Sequence, residues 1–352
     1  MRMPIDSPAP GRPLIDLHCH LEGSLNPVVS FDLLLRRGRC KPDERSGFVH
    51  RARHFAPAYR AFKQAMHLLE SCMTDREAVI EAVADVVVRA ANQGVRIFEP
   101  SFAPSEFKNT APCGSLEPFT EAVIAGIEQG RRGRDIEVGL RALIISRHQS
   151  ISFRAKYCEV YDHIIAYREH FVGADVCGLD FATKAYQALY GEQGYPWNMR
   201  WVRNCCDRLR GAGLRLTAHA GEFASSEAMY WAVDLGVERI GHGIQAGHDP
   251  EIIEVLKERG IALEICPTSN VRLGAVAGEV HPIGRLMRAG LNVTINTDDP
   301  GVQGNDWSSE FNDAQRIHGL SNAEISACLA NAYEASFLTA AQICRFQPLF
   351  CS

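Results

Sequence analysis

Eight short apolar runs limit how this chain can fold: residues 13–18, 95–102, 137–145, 175–182, 214–219, 238–242, 261–266 and 292–297. None alternates cleanly between polar and apolar side chains, which is the pattern of parallel strands covered on both faces. Helical patterns lie between them. Residues 76–91 place apolar side chains at three- and four-residue steps, and Gly94 follows as a stop. Residues 197–209 and 251–258 repeat the design, with Gly211, Gly213 and Gly260 ahead of the next run. Strands alternating with helices in this number predict an α/β fold, a single (β/α)8 TIM barrel. An open doubly wound sheet would place a glycine-rich phosphate turn after its first strand. Here the first strand runs instead into His18-Cys19-His20.

The stretch 25–73 between the first and second strands is long enough to require extra helices, and 57–69 is patterned as one. No Ser/Gly-rich linker, low-complexity tract or repeat divides the chain, so one barrel domain is expected over residues 1–352, with a flexible tail over 1–12. Hydrophobic residues make up 46% and charged residues 22%, enough to build a large core and too apolar for a disordered chain. The 37 Lys and Arg against 42 Asp and Glu leave a net charge of -5, with no electrostatic footprint for nucleic acid or an anionic membrane. No run approaches the roughly 20 apolar residues of a membrane span. The N-terminal residues lack the apolar core of a secretion signal, and a cytoplasmic location is expected. The 12 cysteines include no C-x-x-C pair, and Cys205 and Cys206 are adjacent, so they read as free thiols.

Chemistry concentrates where the runs end. His18 and His20 stand two apart and share a face of a strand, so both can project into a barrel mouth. Two converging imidazoles are half of a zinc site; two hydrogen-bonded core histidines would satisfy the same spacing. The fifth run leads into His219 and Glu222, the sixth into His242, and the eighth into Asp298 and Asp299. All lie at C-terminal strand ends, where barrel enzymes keep their active sites. Buried His and Asp need partners, and four such ends in one chain are poorly explained by packing.

Taken together, His18-Cys19-His20, His219-Ala220-Gly221-Glu222, Gly241-His242-Gly243 and Thr297-Asp298-Asp299-Pro300 resemble the signatures of the adenosine deaminase family of the amidohydrolase superfamily. Order and approximate spacing agree from His18 to about Pro300. The resemblance implies one zinc ion per chain, held by His18, His20, His219 and Asp298. It implies a water whose pKa the metal lowers toward 7, with His242 orienting and helping to deprotonate it and Asp298 accepting a hydrogen bond from it. Glu222 would protonate the ring nitrogen beside the attacked carbon. Asp299 would hold a second ring nitrogen, and His20 would border the substrate as well as the metal. The implied activity is hydrolytic deamination of a small aminopurine-like molecule with release of ammonia. The zinc deaminases built on H-x-E with P-C-x-x-C have no counterpart in this sequence.

Departures from the family pattern bear on the substrate. Thr183 stands where typical members have Gly, with its backbone N–H kept and a branched side chain added near the ring. Glu22 replaces the Asp that meets the ribose 5′-hydroxyl, and Ser101 stands where Arg is common. Overfilling at Thr183 and the longer Glu22 predict that plain adenosine is not the best substrate. Free adenine, a modified nucleoside or another amidine-like metabolite are the alternatives, as is a catalytically silent member that binds a ligand or partner. The spacing of Phe55, Ala58, Tyr59 and Phe62 resembles the family's apolar helix over the pocket and equally suits a plain amphipathic helix. Tyr190–Trp197, which has no match in the family pattern, is either a ligand-lining loop or a surface one. Lys184 reads as solvated, consistent with one metal, and His281, starting a helix as His-Pro-Ile, reads as a cap.

Overall fold

The computed structural model describes residues 12–104, 113–145, 151–185, 199–223, 225–276 and 280–351. The tail expected over residues 1–12 lies, apart from Arg12, outside them, as does the segment 190–197. The strands are β1 Leu14–His20, β2 Val95–Phe102, β3 Glu137–Val138, β4 Arg141–Ile145, β5 Gly173–Cys177, β6 Arg215–Ala220, β7 Arg239–His242, β8 Ala262–Ile265 and β9 Val293–Ile295. They pair in parallel in the order β1-β2-β4-β5-β6-β7-β8-β9, with β3 a two-residue addition beside β2. The ends meet where His20 N–H donates to the Asp298 carbonyl at 2.7 Å and Asp298 N–H donates to that of His18 at 3.0 Å. The sheet closes into the expected eight-stave barrel.

Two runs differ from their expected form. The third is split into β3 and β4. The fourth leaves the sheet at Cys177, because Gly178 takes a φ of 107° that bends the chain into a helical turn at Asp180–Ala182. The other boundaries shift by at most two residues, as helix and strand ends do. Between β1 and β2 lie the extra helices Pro27–Arg36, Arg45–Arg53 and Tyr59–Glu70, then the crossover helix Arg76–Asn92. The crossover begins at Asp75, whose carboxylate accepts from Ala78 N–H at 2.9 Å and pairs with Arg37.

The barrel interior is not simply apolar. Glu99, Arg141, Asp175, Arg239 and Glu264 are fully buried there. Arg239 pairs with Glu264 at 2.5 Å and with Glu99 at 2.9 Å, and Arg141 with Asp175 at 3.1 Å. Glu99 also accepts from Ser336 Oγ and Phe337 N–H, both at 2.6 Å, which ties the C-terminal segment under the barrel. Burying charges is tolerated only when each meets an opposite charge or a donor.

Candidate active site

Each strand end delivers its side chain by a specific local device. β1 carries His18 and His20 on one face. His242 and Asp298, at the ends of β7 and β9, both adopt φ 62°. A non-glycine residue in the left-handed region costs about 1–3 kcal/mol and is held there only when its surroundings demand it. Gly241 precedes His242 because a Cβ there would meet His18 Cε1 at 2.6 Å. The turn after β6 is gripped by Asp180, whose two carboxylate oxygens accept from Gly221 and Glu222 N–H, each at 2.9 Å.

The donor atoms of His18, His20, His219 and Asp298 all lie within 4.8 Å of one another. His20 Nε2 is 3.1 Å from His219 Nε2 and 3.1 Å from Asp298 Oδ1, and His18 Nε2 is 3.6 Å from the same oxygen. The far side of each ring decides what those atoms are. His18 Nδ1 faces Glu264 Oε2 at 2.6 Å and His219 Nδ1 faces Asp175 Oδ1 at 2.9 Å. His20 Nδ1 meets Ser101 Oγ at 3.0 Å, whose own proton goes to the Cys19 carbonyl at 3.3 Å. Every Nδ1 therefore donates, and in neutral rings every Nε2 is a lone pair. His20 is kept neutral by burial, which pushes its pKa down to about 4. Burial lowers the His219 pKa, but Asp175 and Asp298 raise it by more. With both rings neutral, two lone pairs 3.1 Å apart beside a carboxylate oxygen repel unless a cation lies between them. His18 Nε2 likewise finds no hydrogen-bond partner among the described residues. Three imidazole nitrogens and one carboxylate fit a borderline cation.

A second combination, His242, Cys266 and Asp298, is equally close but shares Asp298. There the Cys266 thiol donates to the Glu264 carbonyl at 3.6 Å. Lys184 is exposed.

Glu222 and Asp299 complete the polar wall. Glu222 Oε2 is 3.7 Å from His242 Nε2. Burial, then the charges of Asp298 and Asp180, push the Glu222 carboxyl well above the usual range. Burial and the adjacent Asp298 do the same to Asp299. The cavity over these groups is walled by Tyr59, Phe62, Lys63 and Met66, one face of the helix Tyr59–Glu70, and by Phe181, Phe223 and Leu273.

The family model for adenosine deaminase matches residues 13–346. The chain belongs to the adenosine deaminase family. It is 33% identical over 335 residues to an adenosine deaminase of Serratia proteamaculans, covering 93% of this chain and 94% of that one. It is 30% identical over 335 residues to an adenosine deaminase of Shewanella loihica, covering 93% and 95%. Among solved structures, the adenine deaminase of Arthrobacter aurescens superposes with a TM-score of 0.83 at 27% identity, over 97% of this chain and 98% of that one. This adenosine deaminase family member is thus a deaminase, a hydrolase of C–N bonds from a metal-dependent family.

Within that framework the structure brings His18, His20, His219, Glu222, His242, Asp298 and Asp299 together, and keeps Glu22 and Thr183 apart from them. Neither of the last two is among the described residues that line the cavity. The Thr183 hydroxyl turns back to donate to the Asp180 carbonyl at 2.8 Å, a local bond available to any Thr in such a turn. Glu22 is buried with Oε1 accepting from Ala103 N–H at 2.9 Å, beside a small separate apolar cavity. The sequence reading passed over Asp175, Asp180, Glu264 and Asn270. The acids could have been flagged as charges inside apolar runs; Asn270, on the short helix Pro267–Arg272 after β8, carries no such signal.

Proposed function

We propose that this deaminase hydrolyses the exocyclic amine of a 6-aminopurine at one zinc ion held by His18, His20, His219 and Asp298. The observation that carries the reading is the convergence of three Nε2 atoms on Asp298, each ring held through a hydrogen bond at its Nδ1. When bound, the ion supplies Lewis acidity that brings the pKa of a water toward neutrality.

The protein's own groups do the rest. Glu222, kept protonated by burial beside two carboxylates, gives its proton to the ring nitrogen next to the amine-bearing carbon. The carbon then accepts the water oxygen. The C–N bond breaks, one water proton leaves on the ammonia, and the other restores the Glu222 carboxyl. Asp298 accepts a hydrogen bond from the water. Asp299, also kept protonated, donates to a second ring nitrogen. Tyr59, Phe62, Phe181 and Phe223 exclude water and offer faces to a planar ring.

Outside the histidines and acids, Lys63 is the one charged residue among the described lining residues. A ribose would find few partners on this wall, which favours a purine with a small or absent N9 substituent. The test is ammonia release from adenine, adenosine and 5′-modified adenosines, compared as kcat/KM. Adenine is expected to lead. Adenosine leading by more than tenfold would overturn the N9 preference, and no turnover of any aminopurine would overturn the reaction.

A further inference from the structure

Behind His242 lies a buried polar chain that the reaction described above does not use. Ile283 N–H donates to His281 Nδ1 at 3.1 Å, His281 Nε2 meets Asn270 Oδ1 at 3.1 Å, and Asn270 Nδ2 meets His242 Nδ1 at 3.1 Å. Asn270 Nδ2 also reaches Glu222 Oε1 at 3.5 Å. Asn270, His281 and His242 are all buried. We propose that Asn270 and His281 are positioning residues, a one-way hydrogen-bond chain that holds His242 with its proton on Nε2.

The direction of the chain follows from its first member, because a backbone N–H can only donate. His281 Nδ1 therefore accepts. Burial, followed by the neighbouring His318, pushes the His281 pKa down to about 3, so the ring carries one proton, and that proton is on Nε2. It donates to Asn270, which identifies the facing amide atom as oxygen and settles which way the amide lies. The NH2 end then faces His242 and Glu222, and an amide nitrogen has no lone pair to offer. His242 Nδ1 must accept, leaving the proton on Nε2, 3.7 Å from Glu222 Oε2.

The consequence for the reaction concerns what His242 can do. Accepting a proton would place a second N–H on Nδ1, directly against the donor of Asn270. Turning the amide over to relieve that clash would break the bond to His281 and set the amide oxygen beside Glu222. His242 therefore keeps its proton and donates a hydrogen bond to the oxygen that adds to the ring. It is not the base that removes the water's proton. This inference rests on the deaminase reading for its kinetic part alone; the tautomer is a property of the resting protein.

The test has a spectroscopic arm and a kinetic arm. Nitrogen-15 spectra of the zinc-loaded protein, with the His242 signals assigned by their loss in His242→Asn, are expected to show a protonated Nε2 and an unprotonated Nδ1. Asn270→Asp keeps the shape, still accepts from His281, and presents an acceptor to His242. It is expected to move the proton to Nδ1, lower kcat about 10²-fold, the scale of losing one donor to a developing oxyanion, and leave KM and zinc content near the parent's. His281→Phe, which frees the amide to turn, should also lower kcat. His281→Gln, which can accept from Ile283 and donate to Asn270, should restore most of it. An Nδ1 proton in the parent protein overturns the proposal whatever the variants do, as does an Asn270→Asp enzyme within twofold of the parent kcat. If no aminopurine is deaminated, the functional reading fails while the spectrum still decides the tautomer.

Discussion

The interior of the barrel and its mouth both hold buried carboxylates, and Glu264 and Asp175 inside shift in the opposite direction from Glu222 and Asp299 at the mouth. Asp298, pushed up by burial but drawn down further by His20, His242 and His18, behaves like the interior pair. Inside, burial pushes Glu264 up, but the guanidiniums of Arg239 and Arg141 outweigh it and hold the carboxyl down to about 2. Asp175 likewise falls below its ordinary range, drawn down by His219 and Arg141 against burial. At the mouth, Glu222 and Asp299 have other carboxylates as their strongest charged neighbours, and both are pushed up. The backbone follows the same division: the two non-glycine residues with positive φ among the described residues, His242 and Asp298, are both at the mouth. The interior is arranged for charge balance. The mouth holds strain and proton-bearing acids, the usual state of groups kept for chemistry.

Substitutions can break this contrast. The largest effect is expected for His20→Ala, which removes one of four metal donors: activity falls to background and elemental analysis finds zinc lost. Retained zinc and activity would remove His20 from the site. Glu222→Gln keeps the shape but cannot release a proton, and turnover is expected to fall by about 10²–10⁴ with zinc and thermal stability unchanged. Next comes Glu264→Gln, which leaves His18 with a weaker acceptor. Metal affinity measured by chelator competition should drop about 10–100-fold.

In the interior, Arg239→Met leaves Glu99 without its guanidinium and Glu264 with only that of Arg141, 3.8 Å away. Stability should fall by about 3–5 kcal/mol in denaturant unfolding. A loss below about 1 kcal/mol would mean the interior charges are not balanced as described. The smallest effect sharpens the contrast. Asp299→Asn removes an acid from beside Asp298, so thermal unfolding should occur at the same temperature or higher even as activity drops. A clear loss of stability would show that the mouth is built like the interior.

The sequence carried the barrel because strands buried on both faces leave a non-alternating pattern, and it carried the strand-end residues because each stands where an apolar run stops. The supporting groups were harder to read. Asp175 and Glu264 sit within apolar runs, and only the closed barrel shows that each lies behind a particular histidine. His281 does accept a backbone N–H as a cap would, but its bond to Asn270 joins two segments that no local pattern connects. Thr183 and Glu22 were legible only as departures from the family pattern. The Thr183 hydroxyl is taken up by a bond within its own turn and the Glu22 carboxylate by Ala103 N–H, just past the end of β2, partners that residue type alone does not reveal.

The claim on which the account turns is that His18, His20, His219 and Asp298 hold one catalytic zinc ion. Metal-free protein, prepared by chelation and titrated with zinc, measures it directly through ammonia release from adenine. Activity is predicted to rise linearly and saturate at one equivalent per chain, with no recovery in His20→Ala. Saturation at two equivalents, full activity without added metal, or recovery in the His20→Ala protein would contradict it.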